Sequence, residues 1–123
     1  IPIVKPIGGH GIFVDAKKIL QHIPHDNFPA QTLAAEIYLD SGVRTMERGI
    51  VSAGRKKSGE NYYPNLELVR FTIPRRVYTQ AHMDVIAESA ARVFERRKKI
   101  KGMKMVYEPK YLRFFQARFQ KLK

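Results

Sequence analysis

The sequence predicts an α+β fold, a sheet covered on one face by helices, and three observations carry that expectation. Val43 to Ala53 and Glu67 to Ile73 place their side chains alternately on two faces, as strands do. Segments entered at Pro29 and at Thr79 repeat apolar residues at helical spacing. The order reads strand, helix, helix, two strands, long helix, two strands, with no internal repeat and no low-complexity segment. A length of 123 residues with 44% hydrophobic and 28% charged content suits one globular domain, residues 1–123.

Taken in order, Gly8-Gly9-His10-Gly11 leads into the short apolar strand Ile12-Phe13-Val14, and Asp15 is placed to cap a helix through Ala16 to Leu20. Pro24 and Asp26-Asn27 stop that helix. Pro29 then occupies a first helical turn, Leu33, Ala34, Ile37 and Tyr38 share a face, and Gly42 supplies a left-handed stop. On the strand from Val43, the residues Arg44, Met46, Arg48 and Ile50 point one way and Thr45, Glu47 and Val51 the other. The polar stretch Gly54 to Asn61 reads as an exposed hairpin loop. On the returning strand Leu68, Arg70 and Thr72 share one face, and Pro74 ends it.

The longest helix is expected from Thr79, its N-cap, to about Lys99, burying Met83, Ile86, Ala90, Val93 and Phe94. Arg96, Arg97, Lys98 and Lys99 in its last turns complement the negative end of the helix dipole and need no ligand to explain them. Gly102 stops the helix, Met103 to Tyr107 form a strand, and Leu112 to Phe119 form another.

Composition excludes several functions. No stretch approaches the roughly 18 apolar residues of a membrane helix, and the absence of cysteine removes thiolate nucleophiles and Cys-ligated zinc. His22 and His25 have the spacing HxxH, but Pro24 lies between them and no further ligand completes a set, so no metal is expected. The chain starts Ile1-Pro2-Ile3-Val4, without an initiator methionine or the basic-then-apolar order of a signal peptide. It reads as a piece of something longer, with a cytoplasmic setting and no membrane partner.

The net charge of +12 is uneven: residues 1–74 carry nine Lys/Arg against seven Asp/Glu, and residues 75–123 carry fourteen against four. A small basic nucleic-acid-binding domain is therefore one reading, with aromatics interleaved among cations in Tyr111-Leu112-Arg113-Phe114-Phe115. It lacks any named binding motif, and its basic residues scatter over several elements. An acidic partner surface would account for the same bias, so no nucleic acid is expected.

Five ordered stretches are more specific: Pro6-Ile7-Gly8-Gly9-His10, Phe28-Pro29-Ala30-Gln31, Val43-Arg44-Thr45-Met46-Glu47-Arg48-Gly49, Ile73-Pro74-Arg75-Arg76-Val77-Tyr78-Thr79 and Tyr107-Glu108-Pro109-Lys110. In this order and spacing the chain closely resembles the C-terminal part of the β-eliminating amino-acid lyases, the tyrosine phenol-lyase and tryptophanase family. Met46-Glu47-Arg48-Gly49 and Phe114-Phe115 resemble the tyrosine-cleaving branch, because the tryptophan-cleaving branch carries an aliphatic residue at the position of Arg48. A tryptophanase-type domain is the alternative.

The resemblance implies the small C-terminal domain of a fold-type I enzyme dependent on pyridoxal phosphate. Its reaction would split L-tyrosine into phenol, pyruvate and ammonia. It further implies a homotetrameric parent activated by a monovalent cation such as potassium. The Schiff-base lysine, the phosphate-binding residues and the cation site would lie in the remainder of the lyase chain, leaving no cofactor-binding residue in this segment.

By the same resemblance, Arg70 binds the substrate α-carboxylate, where a planar guanidinium gives a two-point grip. Arg48 binds the phenol hydroxyl and stabilises the keto-like tautomer of the ring that elimination requires. From the residues alone, Arg70 reads better as an exposed strand arginine in an ion pair, and Arg48 equally well as a surface partner of Glu47 or Glu67. Met46 packs against the substrate ring or simply in the core. Phe114 and Phe115 resemble an aromatic pair that reaches the ring on domain closure. On a strand they would face opposite ways, one to substrate and one to the core. His10 resembles a histidine supporting active-site geometry, with a structural hydrogen-bonding role as the alternative, and Gly11 replaces the alanine usual in the family.

Overall fold

The computed structural model describes all residues 1–123. Strand β1 (Gly11–Asp15) leads directly into the one-turn helix α1 (Ala16–Ile19), whose Lys18 amide donates to the capping Asp15 carboxylate at 3.1 Å. Helix α2 (Pro29–Ser41) starts on Pro29 and ends at Gly42, which holds φ +76° while its amide donates to the Tyr38 carbonyl at 2.7 Å. That conformation is why glycine stands there.

The next strand, β2, is only Met46–Arg48, and the chain turns at Gly49 into a short helix α3 (Ile50–Ala53). The single strand expected from Val43 to Ala53 is thus corrected. Two buried carboxylates override the alternating pattern by accepting the free amides of α3. Glu47 takes those of Val51 and Ser52 at 3.2 and 2.9 Å, and Glu67 takes that of Ile50 at 2.6 Å. Residues 54–61 form the expected exposed turn, closed by a bridge between Arg55 and Asn61.

Strand β3 (Leu68–Thr72) lies between β1 and β2 in an antiparallel sheet, with Phe13 and Met46 both opposite Arg70. The long helix α4 (Gln80–Glu95) begins on Thr79, where the side chain of His82 accepts from the Thr79 amide at 2.9 Å. It ends at Glu95 and is followed by a 3-10 turn over Arg97–Lys99, shorter than expected. Gly102 is not its stop: it is buried against Asn27.

Strand β4 (Met103–Tyr107) pairs with β5 (Arg118–Lys121) as a separate two-stranded sheet, so the layered sheet of the sequence reading is in fact two. Between them lies α5 (Arg113–Gln116), which corrects the strand expected from Leu112 to Phe119. The buried Arg113 guanidinium draws this segment inward by donating to the carbonyls of Ile50 and Val51 at 2.6 and 3.3 Å.

The main core joins Val14, Val69 and Phe71 on one sheet face to Leu33 and Ile37 of α2 and Val93 of α4. Ile86, Ala90 and Phe94 pack partly buried against it, and Met83 lines an apolar groove beside it. Tyr38 departs from its assigned face and is 55% exposed, whereas Glu36 is buried. Polar contacts tie the same two helices together. Arg92 of α4 and Arg96 just after its end reach Asp40 of α2 at 2.7 and 2.8 Å, and Arg96 also reaches Glu36 at 3.2 Å. The cations at the end of α4 thus clamp α2 as well as facing the dipole.

Hydrogen bonds from Arg92, then Arg96, hold the Asp40 carboxyl well below the usual carboxylate range. A depressed pKa adds stability that is complete above the unfolded value of about 4 and is lost as pH falls toward the folded one. Asp40→Asn is expected to melt below the parent chain at neutral pH, with the difference narrowing below pH of about 5. Thermal melts of both proteins by circular dichroism across pH check this; a constant gap would contradict it.

Candidate functional site

The face of the three-stranded sheet turned away from the main core carries Gly11 and Phe13 of β1, Met46 and Arg48 of β2, and Leu68 and Arg70 of β3. Arg70 is half-buried between Phe13 and Met46, which oppose it on either side. Its side chain lies back over Gly11: a Cβ there would come within 3.3 Å of the Arg70 Nε. Arg48 opposes Leu68 and is therefore diagonal to Arg70, exposed at the sheet edge. Diagonal positions sit about 7–8 Å apart, within reach of long side chains.

The carboxylates that might have paired with these arginines are committed elsewhere. Glu47 is 3% exposed on the opposite face of β2, where it caps α3 and also accepts from the Ser52 hydroxyl at 2.7 Å. Burial pushes its carboxyl above the ordinary range, against the hydrogen bonds from Ser52. Glu67 is fully buried and accepts from His25 Nε2 at 2.8 Å and the Ala30 amide at 3.3 Å, besides the Ile50 amide. The side chains of Arg48 and Arg70 take part in none of the hydrogen bonds or ion pairs within this chain, and neither Glu47 nor Glu67 pairs with Arg48. Two free guanidiniums beside Met46 and Phe13 can grip a molecule with an anionic end and an oxygen acceptor across an apolar body.

Phe114 and Phe115 stand on α5 and not on a strand, with rings in an edge-to-face pair 4.9 Å apart. Phe114 packs against a second small core formed by Phe28, Ile50 and Val51, whereas Phe115 is 75% exposed. Arg113 ties this helix to α3, the element that follows Arg48 after one glycine. The same bonds remove Arg113 from the cations a phosphate backbone could use. His10 is exposed, and its carbonyl accepts from the Ile73 amide at 2.9 Å, extending the β1–β3 pairing by one bond. His22 and His25 serve separate partners, the Ile100 carbonyl at 2.7 Å and the Glu67 carboxylate.

Sequence reasoning missed Phe13, although the alternation Gly11, Phe13 matches that of Leu68, Arg70. It also missed Glu67 and Arg113 as supports, since no local pattern announces a charge whose partners are backbone groups far along the chain.

Residues 4–89 match the sequence model of the family described as Beta-eliminating lyase. The chain belongs to the β-eliminating lyase family. It is 69% identical over 121 residues to a tyrosine phenol-lyase of Nostoc punctiforme, covering 98% of this chain and 26% of that protein. Tyrosine phenol-lyases of Pasteurella multocida and Intrasporangium calvum are each 65% identical, over 98% and 99% of this chain and 26% of their own length. The chain therefore spans about a quarter of the curated relatives it matches, as the 26% figure states.

Gly11 sits in a regular strand with Arg70 as its nearest neighbour, so alanine there meets only a flexible side chain. Gly11→Ala is expected to raise stability by about 0.5 kcal/mol through the unfolded state, while Arg70 shifts by a few tenths of an ångström. Denaturant melts test it; a loss of more than about 1 kcal/mol would mean that Arg70 is rigidly seated over Gly11.

Proposed function

We propose that this chain is the C-terminal small-domain portion of a tyrosine phenol-lyase, supplying the substrate grip of the parent enzyme. The observation that carries the reading is the pair of unpartnered guanidiniums, Arg48 and Arg70, set diagonally on the open sheet face with Met46 beside them. Identity of 57–69% to tyrosine phenol-lyases over nearly the whole chain supports it. The C-terminal position rests on the resemblance of the five motifs and their order.

The reaction is the α,β-elimination of L-tyrosine to phenol, pyruvate and ammonia. Pyridoxal phosphate, implied by the family, supplies the electron sink. The residues present do not fit that group as a resident: every lysine is exposed, and none has the desolvated setting that activates an amine for Schiff-base chemistry. The attachment, the cation site for an ion such as potassium, and the contacts of a homotetramer fall to the remainder of the lyase chain. A cytoplasmic setting belongs to the same reading; no helix is long and apolar enough to cross a membrane.

Within that division Arg70, which stands between Phe13 and Met46 across the sheet, donates to the substrate carboxylate in a two-point grip. Arg48 donates to the phenol oxygen. As the ring passes to its keto tautomer it gains a proton on carbon and gives up its hydroxyl proton to a base outside this chain; the oxygen then becomes a carbonyl-type acceptor, which the cationic donor stabilises most at that moment. Phe115, exposed on α5, covers the ring and excludes water, while Phe114 anchors the turn in the second core. Met46 lines the ring's path, and His10 supports the entry to β1.

The test uses the full-length parent. Arg70→Ala should lower kcat/KM for L-tyrosine and for an S-aryl cysteine with an electron-poor thiolate leaving group by similar factors, about a hundredfold or more. Arg48→Ala should cost L-tyrosine about a hundredfold and the S-aryl cysteine less than about tenfold. Equal losses on both substrates would remove the role assigned to Arg48. The 123-residue chain alone, given the cofactor and L-tyrosine, should release no pyruvate above the protein-free control.

A further inference from the structure

Arg48 is followed by Gly49 and Ile50, and the turn that these three residues make is held from beneath by one side chain. The Glu67 carboxylate is fully buried and accepts from the Ile50 amide at 2.6 Å, the Ala30 amide at 3.3 Å and His25 Nε2 at 2.8 Å. It also fills the space where a Cβ on Gly49 would stand, so close that alanine there would force the carboxylate aside. Glu47, the residue before Arg48, is fixed independently because its own carboxylate closes on the Val51 and Ser52 amides. Arg48 itself has no side-chain partner. The direction in which its side chain leaves the strand is therefore set by a backbone held between two buried carboxylates.

We infer that Glu67 is a positioning residue for Arg48: its carboxylate, packed on Gly49 and bonded to the Ile50 amide, fixes the direction in which Arg48 meets the leaving-group oxygen. This rests on the reading of Arg48 given above. A misplacement of about 1 Å in a catalytic donor can cost about a hundredfold in rate. Glu67 thereby governs leaving-group selectivity without touching substrate. Arg70 is seated separately, between Phe13 and Met46 and over Gly11, so carboxylate binding is insulated from this turn.

In the full-length lyase, Glu67→Gln keeps one acceptor oxygen but loses the charge, and Gly49→Ala keeps the carboxylate but displaces it. Each is measured against Arg48→Ala on L-tyrosine and on the S-aryl cysteine. Both are expected to lower kcat for L-tyrosine at least about tenfold, with KM and the S-aryl cysteine rate within about threefold of the parent. If Glu67→Gln does not yield folded enzyme, Gly49→Ala decides alone, since it removes no hydrogen-bonding group and only shifts the carboxylate. Should Gly49→Ala also fail to fold, or should the variants slow both substrates equally, Glu67 is a purely structural residue and the inference is overturned. An Arg48→Ala enzyme that slows both substrates equally would overturn the underlying reading together with this one. A selective Arg48→Ala beside unselective Glu67 and Gly49 variants overturns only the positioning role.

Discussion

A single buried carboxylate organises this molecule. Glu67 stands immediately before the central strand, yet its two oxygens are shared among the first turn of α2, the first residue of α3 and the imidazole of His25. Desolvating a carboxylate costs several kcal/mol, offset only where hydrogen bonds and favourable dipoles meet it. Here two helix N-termini point their free amides at the same group, and the positive ends of both helices add to the field. Helix α2, helix α3 and the β2–β3 pair are consequently fixed to one another through one side chain. Gly49, between β2 and α3, leaves the carboxylate the space that a Cβ there would otherwise take.

That arrangement divides the two faces of the sheet. The face toward α2 and α4 takes Val14, Val69 and Phe71 and closes into a conventional apolar core. Glu47, on this same side of β2, is tolerated because it caps α3. With both nearby acids drawn into capping, the opposite face keeps its arginines free of internal ion pairs. The acids Asp40 and Glu36 go instead to Arg92 and Arg96, and Glu108 to Arg55 and Arg113.

How much of this could be read from the chain depends on the range of the interaction concerned. Helix α2, with Pro29 at its start and Gly42 at its end, and helix α4, with Thr79 as N-cap, are specified by neighbours within a turn and were legible. The strand positions of Met46, Arg48 and Arg70 were legible too, because period-two alternation survives even in a three-residue strand. What failed were the segments after Arg48 and after Leu112. Both contain apolar and aromatic residues compatible with a strand, and in both the deciding contact comes from far along the sequence: Glu67 to Ile50, and Arg113 to Ile50 and Val51. The split of one sheet into two was hidden for the same reason, since strand pairing is a long-range choice.

Those two failures meet at one place. Helix α3 receives Glu67 at the Ile50 amide and Arg113 at the Ile50 and Val51 carbonyls, so a four-residue helix too short to persist alone is held by a carboxylate on its amides and a guanidinium on its carbonyls. Arg113 in turn opens α5, which bears Phe114 and Phe115, while Arg48 lies two residues before Ile50. The guanidinium of Arg48 and the exposed ring of Phe115 are therefore attached to the same small packed unit, although 66 residues separate them in the sequence. A loop at either position would let each side chain wander over several ångströms. Charge-capping α3 from both sides removes that freedom and leaves the side-chain torsions as the main adjustable coordinates of the open face.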